Sequence, residues 1–276
     1  MAELETTVTT HYDTGAILER IKAGLIAAGA DAEAPQPADL KGVDEFHTGG
    51  LEATEALLGP LGLTAEMSGL DVGSGIGGTA RFIAESYGSY MHGVDLTPAF
   101  VAVATSLSEM CGLGHRTGFL VGSALEMPVS DASFDFATML HVGMNIEDKT
   151  ALMRDVARVL KPGGRFALFD IMQGNGEAIT FPVPWSSVPE SSFVVPPQAY
   201  RDAAAAAGLT LVAERNRGDY SKEFFGRVSK AMVESGPSPM GLQLIMGEEA
   251  PVRYGNAMAA SMQGITETWE MVFQKG

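Results

Sequence analysis

The sequence has very little cysteine and few basic residues, and each shortage excludes a class of protein. Its 276 residues include one cysteine, Cys111, so an internal disulfide and a cysteine-rich zinc site are both excluded. Lysine and arginine number 18 against 34 aspartates and glutamates, which gives a net charge of −16. Such a field repels phosphate backbones and anionic lipid. We therefore expect neither nucleic acid nor a membrane surface as a partner, whereas the charge does not argue against a small neutral or cationic substrate.

A long apolar run is also missing. No stretch approaches the ~20 apolar residues that span a bilayer, and the acidic start, MAELE, lacks the apolar core of a signal peptide. His11, His92 and His115 show no metal-ligand spacing with each other or with Cys111, so no metal site is expected. The sequence thus predicts a cytoplasmic protein, with a monomer and a homodimer both open.

From Met67 onward, strand and helix patterns alternate, which is typical of βαβ units and a parallel sheet. The predicted strands are 67–72, 89–95, 117–122, 134–140, 165–171, 209–215 and 266–274. This pattern predicts an α/β fold: a doubly wound, seven-stranded, mostly parallel sheet wrapped by helices. Residues 1–60 are expected to form an N-terminal helical cap, and residues 61–276 the main domain.

Two features stand out near the end of the chain. Residues 172–197 contain five prolines, too many for a helix or an inner strand, so this segment is expected to be an irregular lid. Between the last two strands, residues 219–234 and 255–263 have helical patterns.

The chemistry is concentrated in a glycine-rich turn after the first strand. Glycines in such a turn let the backbone approach a ligand, and the following helix offers free N–H groups to an anion. The spacing Gly73-x-Gly75-x-x-Gly78 fits a dinucleotide, while Gly73-x-Gly75-x-Gly77 fits S-adenosylmethionine. Spacing alone leaves both ligands open.

Asp71, two residues before the first glycine, favours S-adenosylmethionine on charge. A pyrophosphate above this turn would be repelled by the carboxylate, whereas an ammonium group would be attracted. Asp95, at the end of the second strand, lies 20 residues after Gly75. A carboxylate there can accept hydrogen bonds from ribose hydroxyls of either ligand, so it supports a nucleoside without identifying which one.

Several segments together resemble the class I S-adenosylmethionine-dependent methyltransferases. They are the glycine loop, Gly93–Thr97, Gly122–Ala124, Ser133–Asp135 and Leu160–Gly164. The resemblance covers about residues 45–275 and implies the Rossmann-like methyltransferase fold. Within that class the chain is similar to the small-molecule group that includes ubiquinone-biosynthesis-type and sarcosine/dimethylglycine N-methyltransferases. The segments that suggest this group are Asp44–His47, His141–Asn145 and Phe181–Trp185.

The resemblance implies a set of contacts to S-adenosylmethionine, whose product is S-adenosylhomocysteine. These contacts are expected from Asp71, Gly73, Gly75, Gly77, Asp95, Leu96, Ser123, Ala124 and Leu140. Asp71 and the glycines would hold the methionine part and Asp95 the ribose. Ser123 departs from the family, in which an aspartate is usual; a serine hydroxyl accepts from the adenine amine more weakly.

Candidates for catalysis and for the methyl acceptor come from other segments. His141 ends the fourth strand, at the edge where open α/β sheets bind ligands, and is either a general base or a ring that packs on the cofactor. Tyr12 is a catalytic candidate that would close over the donor, or else a surface aromatic. Asn145, Trp185 and His47 are candidates for binding the acceptor. The competing interpretations are a turn residue for Asn145 and a hydrophobic plug for Trp185.

The sequence therefore predicts an enzyme that transfers a methyl group from S-adenosylmethionine to a small molecule. An amine nitrogen of the sarcosine or dimethylglycine kind is the preferred acceptor. The alternatives are O-, S- or C-methylation of another small metabolite, an NAD-dependent oxidoreductase, and a module that senses the donor without catalysis. A neutral tertiary amine needs no base, whereas oxygen and carbon acceptors must lose a proton.

Overall fold

A computed structural model describes residues 16–276, so Tyr12 lies outside the described residues. The seven strands are β1 (Ser68–Val72), β2 (Tyr90–Asp95), β3 (Thr117–Val121), β4 (Phe134–Leu140), β5 (Leu160–Gln173), β6 (Leu209–Asn216) and β7 (Thr266–Lys275). They form one sheet in the order β3-β2-β1-β4-β5-β7-β6. Only β7 runs antiparallel to its neighbours, β5 and β6. The predicted seven-stranded, mostly parallel α/β fold is confirmed.

Helices cover both faces of this sheet. They are α1 (Ile17–Ala27), α2 (Pro37–Asp44), α3 (Gly50–Leu58), α4 (Gly78–Tyr87), α5 (Pro98–Met110), α6 (Lys149–Val159), α7 (Pro197–Ala206), α8 (Gly218–Ser235), α9 (Gln243–Met246) and α10 (Ala250–Met262). None of those described is long and apolar enough to cross a membrane. The sequence placed the start of α10 five residues too late, because Pro251 reads as a breaker but occupies the first turn, where its missing N–H costs nothing.

The central strands are apolar almost throughout because both of their faces are covered. On one face β1, β4 and β5 pack against α6 and α7, around Leu152, Phe166 and Tyr200. On the other face α3 and α4 pack against Phe136 and Phe169. Two layers of helix thus fix the carboxyl ends of β1, β2 and β4 at one edge, where the glycine loop begins.

Helix α2 is held tightly beside that loop. A Cβ on Gly78, the first residue of α4, would lie 2.2 Å from the Asp44 carbonyl oxygen, so only glycine permits this approach. The buried Arg81 guanidinium then donates two hydrogen bonds to the Asp44 carboxylate. Helices α1 and α2 also share an apolar cluster with Ile76 and α5. The residues after α2 are therefore fixed next to the glycine loop.

The predicted lid is shorter than expected at its start. Strand β5 continues to Gln173, because it pairs with β7 along its whole length from Arg165. The irregular segment 174–196 is clamped to α10: Arg253 donates to the Val183 carbonyl at 2.8 Å and to the Ser187 hydroxyl at 2.8 Å. The lid and α10 thus form one wall.

Candidate active site

The glycine loop turns sharply between β1 and α4. Gly73 and Gly75 have φ angles of +72° and +52°, a region that side chains strain. The Gly73 N–H donates to the Val94 carbonyl at 2.8 Å, which closes the turn. A Cβ on Gly75 would meet no atom within 4 Å, so this backbone faces open space. The loop leaves room for a ligand directly above Gly75.

Asp71 lies under this opening and is only 3% exposed. Its carboxylate accepts a hydrogen bond from the Thr138 hydroxyl at 2.7 Å. Burial, with the nearby Asp95 carboxylate as a smaller cause, raises the pKa of Asp71 to about 7. A buried carboxylate with a hydroxyl but no cation beside it is costly to ionise. A cationic ligand group at this position offsets that cost, which fits the ammonium end of S-adenosylmethionine.

Asp95 faces the same space from the end of β2. Its two oxygens accept the backbone N–H groups of Gly75 at 2.8 Å and Thr97 at 2.9 Å. A carboxylate has about four acceptor positions, so it can still receive two hydroxyl groups of a ribose. Among residues 16–276, the buried Ser74 hydroxyl at this loop has no hydrogen-bond partner. Such a buried polar atom points to a ligand group that the protein alone does not supply.

One cavity of about 1280 Å³ connects these groups. The expected donor residues that line it are Asp71, Gly73, Gly75, Asp95, Leu96, Ser123, Ala124 and Leu140. Gly77 is the exception: its Cβ position faces the Phe119 ring at 2.7 Å, away from the cavity. Gly77 therefore shapes the turn, and Gly78 lines the cavity in its place. The Ser123 hydroxyl accepts the Leu125 N–H at 3.2 Å.

His141 reaches the cavity from the end of β4. Its φ of +53° is strained for a histidine, and its ring stacks on Phe169 with centroids 5.2 Å apart. Burial, with the His47 ring as a smaller cause, holds the pKa of His141 well below its usual value, so the imidazole is neutral. Within the described chain its Nε2 is buried without a hydrogen-bond partner. This ring has a nitrogen available to a ligand.

His47 and Glu45 form a second polar group beside His141, and both line the cavity. The His47 ring lies 5.8 Å from the His141 ring, edge to face. Its Nε2 lies 2.8 Å from a Glu45 oxygen and 3.0 Å from the Thr54 hydroxyl, and the side chains of His47 and Glu45 are both almost fully buried. His47 is among the residues predicted from the sequence and Glu45 is not, although both belong to the segment Asp44–His47. The missed signal is a carboxylate two residues from a candidate histidine.

Asn145 and Trp185 also line the cavity. Asn145 ends a short 3-10 turn, and the following helix α6 is capped by Asp148 instead, whose carboxylate accepts the Ala151 N–H at 2.8 Å. Trp185 is 3% exposed, and its indole N–H donates to the Ser192 hydroxyl at 2.9 Å. The structure therefore brings four of the five catalytic and acceptor candidates to one cavity, while Tyr12 lies outside the described residues.

A buried polar network supports the loop that carries His141 and Asn145. The Lys149 ammonium group donates to the Gly143 carbonyl at 2.9 Å, to the Phe193 carbonyl of the lid at 3.0 Å, and to the Ile146 carbonyl. Nearby, the Tyr200 hydroxyl donates to the Asp170 carboxylate. These bonds fix the loop between the sheet and the lid.

Replacing Tyr200 by phenylalanine is expected to destabilise the protein by about 2 kcal/mol at pH 8, since a buried carboxylate loses its partner. Burial raises the pKa of Asp170 to about 6. At pH 5 Asp170 is protonated, so the cost should fall to about 1 kcal/mol. Urea unfolding at both pH values measures the difference; equal losses would contradict this account of the network.

Residues 70–168 match a family model described as a methyltransferase domain. A probable tocopherol O-methyltransferase from Oryza sativa subsp. japonica is 37% identical over 99 residues, which are 36% of this chain and 27% of that protein. A solved structure titled as a putative sarcosine dimethylglycine methyltransferase from Galdieria sulphuraria has a TM-score of 0.64 at 23% identity, covering 82% of this chain and 85% of that one.

A second solved structure, geranyl diphosphate C-methyltransferase from Streptomyces coelicolor with S-adenosyl-L-homocysteine, has a TM-score of 0.66 at 16% identity, covering 81% of this chain and 78% of that one. The sheet order and the glycine loop match the Rossmann-like methyltransferase fold, and this chain has that fold. Within it, residues 70–168 are the part that matches the methyltransferase family model. The match spans little more than a quarter of the rice protein, so it describes this domain rather than a whole activity.

Proposed function

We propose that this chain transfers a methyl group from S-adenosylmethionine to a small-molecule acceptor. The observation that carries the proposal is the buried Asp71 carboxylate beneath the open Gly75 backbone. It suits a ligand that is cationic at this point and is unfavourable for a dinucleotide pyrophosphate. The match of residues 70–168 to a methyltransferase domain supports the same choice.

Each donor contact has a group of suitable chemistry. Asp71 would bind the ammonium group, the N-terminal turn of α4 the carboxylate, and Asp95 the two ribose hydroxyls. Leu96 and Leu140 would cover the adenine, with the Ser123 hydroxyl near its edge. When bound, S-adenosylmethionine supplies an electrophilic methyl group on a sulfonium. The buried walls of the cavity exclude water from that group, which protects it from hydrolysis.

We further propose that His141 accepts a proton from the acceptor at Nε2. Its imidazole is neutral and that nitrogen has no partner among residues 16–276, so it is ready to act as a base. The stacked Phe169 ring fixes the orientation of the His141 imidazole, and the loop held by Lys149 fixes its position. A base has a use when a hydroxyl, thiol or carbon acid is methylated. The structure thus supports O-, S- or C-methylation more than methylation of a tertiary amine.

An amine acceptor of the sarcosine kind stays a prediction, and the name of the similar structure from Galdieria sulphuraria agrees with it. The cavity offers little to such a zwitterion, since Lys41 is the one lysine or arginine among residues 16–276 that lines it and could meet a carboxylate. The relative named for tocopherol indicates an acceptor with a longer apolar part. A cavity of about 1280 Å³ accommodates an acceptor of that size.

Isothermal titration calorimetry tests the donor assignment. S-adenosylmethionine and S-adenosylhomocysteine should both bind, and excess NAD should not compete. A Gly75→Val variant serves as the control, because its side chain would fill the open space above the loop and should abolish the heat. Absence of binding by both nucleosides, or displacement by NAD, would refute the proposal and favour an oxidoreductase.

Turnover is tested separately, because a donor-sensing module would also bind. Incubating the protein with isotopically labelled S-adenosylmethionine and a metabolite extract should give a labelled product that mass spectrometry detects. Donor binding without any labelled product across extracts would leave the sensing module as the better description.

A further inference from the structure

The cavity is larger than the donor needs. Sites for drug-sized ligands occupy roughly 300–1,000 Å³, whereas this cavity measures about 1280 Å³. The residues proposed to bind the donor come largely from the ends of β1, β2 and β4 and the turns that follow them. Much of the remaining lining comes from α8, α10 and the residues between these two helices.

Both helices present a regular apolar face to this space. On α8, Phe225, Val228 and Met232 line the cavity at helical spacing, and on α10 Tyr254 and Met258 do so. Val228 is 42% and Met232 51% exposed, so they form the rim, whereas Phe225 is buried. The Ser229 hydroxyl of α8 donates a hydrogen bond to the Met258 sulfur of α10 at 3.2 Å, which joins the two helices. The result is an apolar chamber that continues the donor end.

Positive charge is almost absent from this chamber. Lys41, an exposed residue of α2, is the one lysine or arginine that lines the cavity in the described part of the chain. Residues 1–15 contain no lysine or arginine either. The lining does include the carboxylates of Glu45 and Glu248. A carboxylate or phosphate on the ligand would therefore be desolvated without a cation, which is costly.

Several polar side chains line this part of the cavity, among them Tyr254, Gln243 and Thr268. Tyr254 lines the cavity, and its hydroxyl has no hydrogen-bond partner among residues 16–276. Burial raises the pKa of this hydroxyl above its usual value, so it remains protonated. A largely buried tyrosine normally finds a partner for its hydroxyl. Tyr254 is suited to orient one polar atom of an otherwise apolar ligand.

We propose that the chamber between α8 and α10 is the acceptor site, and that it takes a bulky, mainly apolar molecule that is neutral or cationic and carries no carboxylate or phosphate. This inference rests on the proposed function, because it names the class of acceptor for the same cavity. Tyr254 orients the acceptor at the far wall, while His141 faces its reactive atom.

Two helical glycines provide a matched pair of variants. Gly255, on α10, lines the cavity, and a Cβ built on it meets no atom within 4 Å. Gly226, on α8, has the same open surroundings but is exposed outside the cavity. Leucine at either position improves helix propensity. Gly255→Leu projects a side chain into the chamber, whereas Gly226→Leu projects one into solvent.

The probe is N-phenyl-1-naphthylamine, a neutral apolar fluorophore, added to protein saturated with S-adenosylhomocysteine. We expect binding with enhanced fluorescence, unchanged affinity in Gly226→Leu, and at least tenfold weaker binding in Gly255→Leu. Calorimetry should show the same S-adenosylhomocysteine affinity for all three proteins. Absence of probe binding, or equal binding by both variants, would overturn the inference. Failure of S-adenosylhomocysteine itself to bind would instead overturn the proposed function.

Displacement of this probe by naphthalene derivatives of similar shape but different charge tests whether the chamber excludes anions. 1-Naphthol and 1-naphthylmethylamine should displace it, and 1-naphthoate should need at least a tenfold higher concentration. Tyr254→Phe should weaken 1-naphthol about threefold or more without affecting the probe. Displacement by naphthoate as readily as by naphthol would refute the exclusion of anions, and so would preferential displacement by sarcosine.

Discussion

Replacing Asp71 by asparagine is expected to weaken S-adenosylmethionine binding about 100-fold, or about 2.7 kcal/mol. The amide keeps the size of the side chain and can still accept the Thr138 hydroxyl, but it loses the charge that faces the ammonium group. Calorimetry at pH 7.5 measures the change. An affinity within threefold of the parent protein would remove Asp71 from the donor site.

The same substitution should stabilise the protein without ligand. The folded-state pKa of Asp71 is raised to about 7, so the folded protein holds a proton that the unfolded chain releases near pH 4. Stability therefore falls as pH rises from about 4 to 7 and then levels off. The Asp71→Asn variant does not have this loss in the free energy of unfolding. The loss amounts to roughly 4 kcal/mol above pH 7 and roughly 1–2 kcal/mol at pH 5. Urea unfolding at pH 5 and pH 8 tests the sign; a variant that is less stable at pH 8 would contradict it.

Replacing His141 by asparagine is expected to lower the methylation rate by about 10²–10⁴-fold, the usual contribution of a general base. Asparagine tolerates the positive φ at this position better than most residues, so the loop should keep its shape. Donor affinity should change less than threefold, because Asp71 and Asp95 lie in other elements. Single-turnover measurements with labelled donor give the rate independently of product release.

This variant also distinguishes the kinds of acceptor. If the reactive atom is oxygen, sulfur or carbon, part of the lost rate should return at higher pH, where the acceptor ionises without help. If it is a tertiary amine, the His141→Asn change should alter the rate less than tenfold. That smaller effect would restore the amine acceptor and leave His141 as a packing residue.

Eight of the nine residues predicted to bind the donor line one cavity, because the features that place them together are local. The glycine spacing, Asp71 and Asp95 lie within one strand–helix–strand unit, so chain neighbours are also spatial neighbours. Alternating strands and helices likewise predict the seven-stranded, mostly parallel sheet, whose strand order comes from the structure. Of the nine residues predicted to bind the donor, Gly77 is the one that does not line the cavity, because the turn directs it toward the Phe119 ring.

The acceptor end depends on contacts between distant segments. Glu45 and His47 line the cavity next to the glycine loop because Gly78 and Arg81 hold the end of α2 against α4. The chamber depends on α8 and α10. Their apolar residues recur at the same helical spacing as in helices that pack on a protein core. Periodicity identifies such a face but does not reveal whether it covers protein or a ligand. That distinction requires the tertiary arrangement.

The ammonium group of Lys149 links the proline-rich segment to the loop that carries His141. It joins the carbonyl of Gly143, in that loop, to the carbonyl of Phe193, in the proline-rich segment. If that segment moved away from the sheet, Lys149 would lose one of its three carbonyl partners, and the loop that carries His141 would lose part of its support.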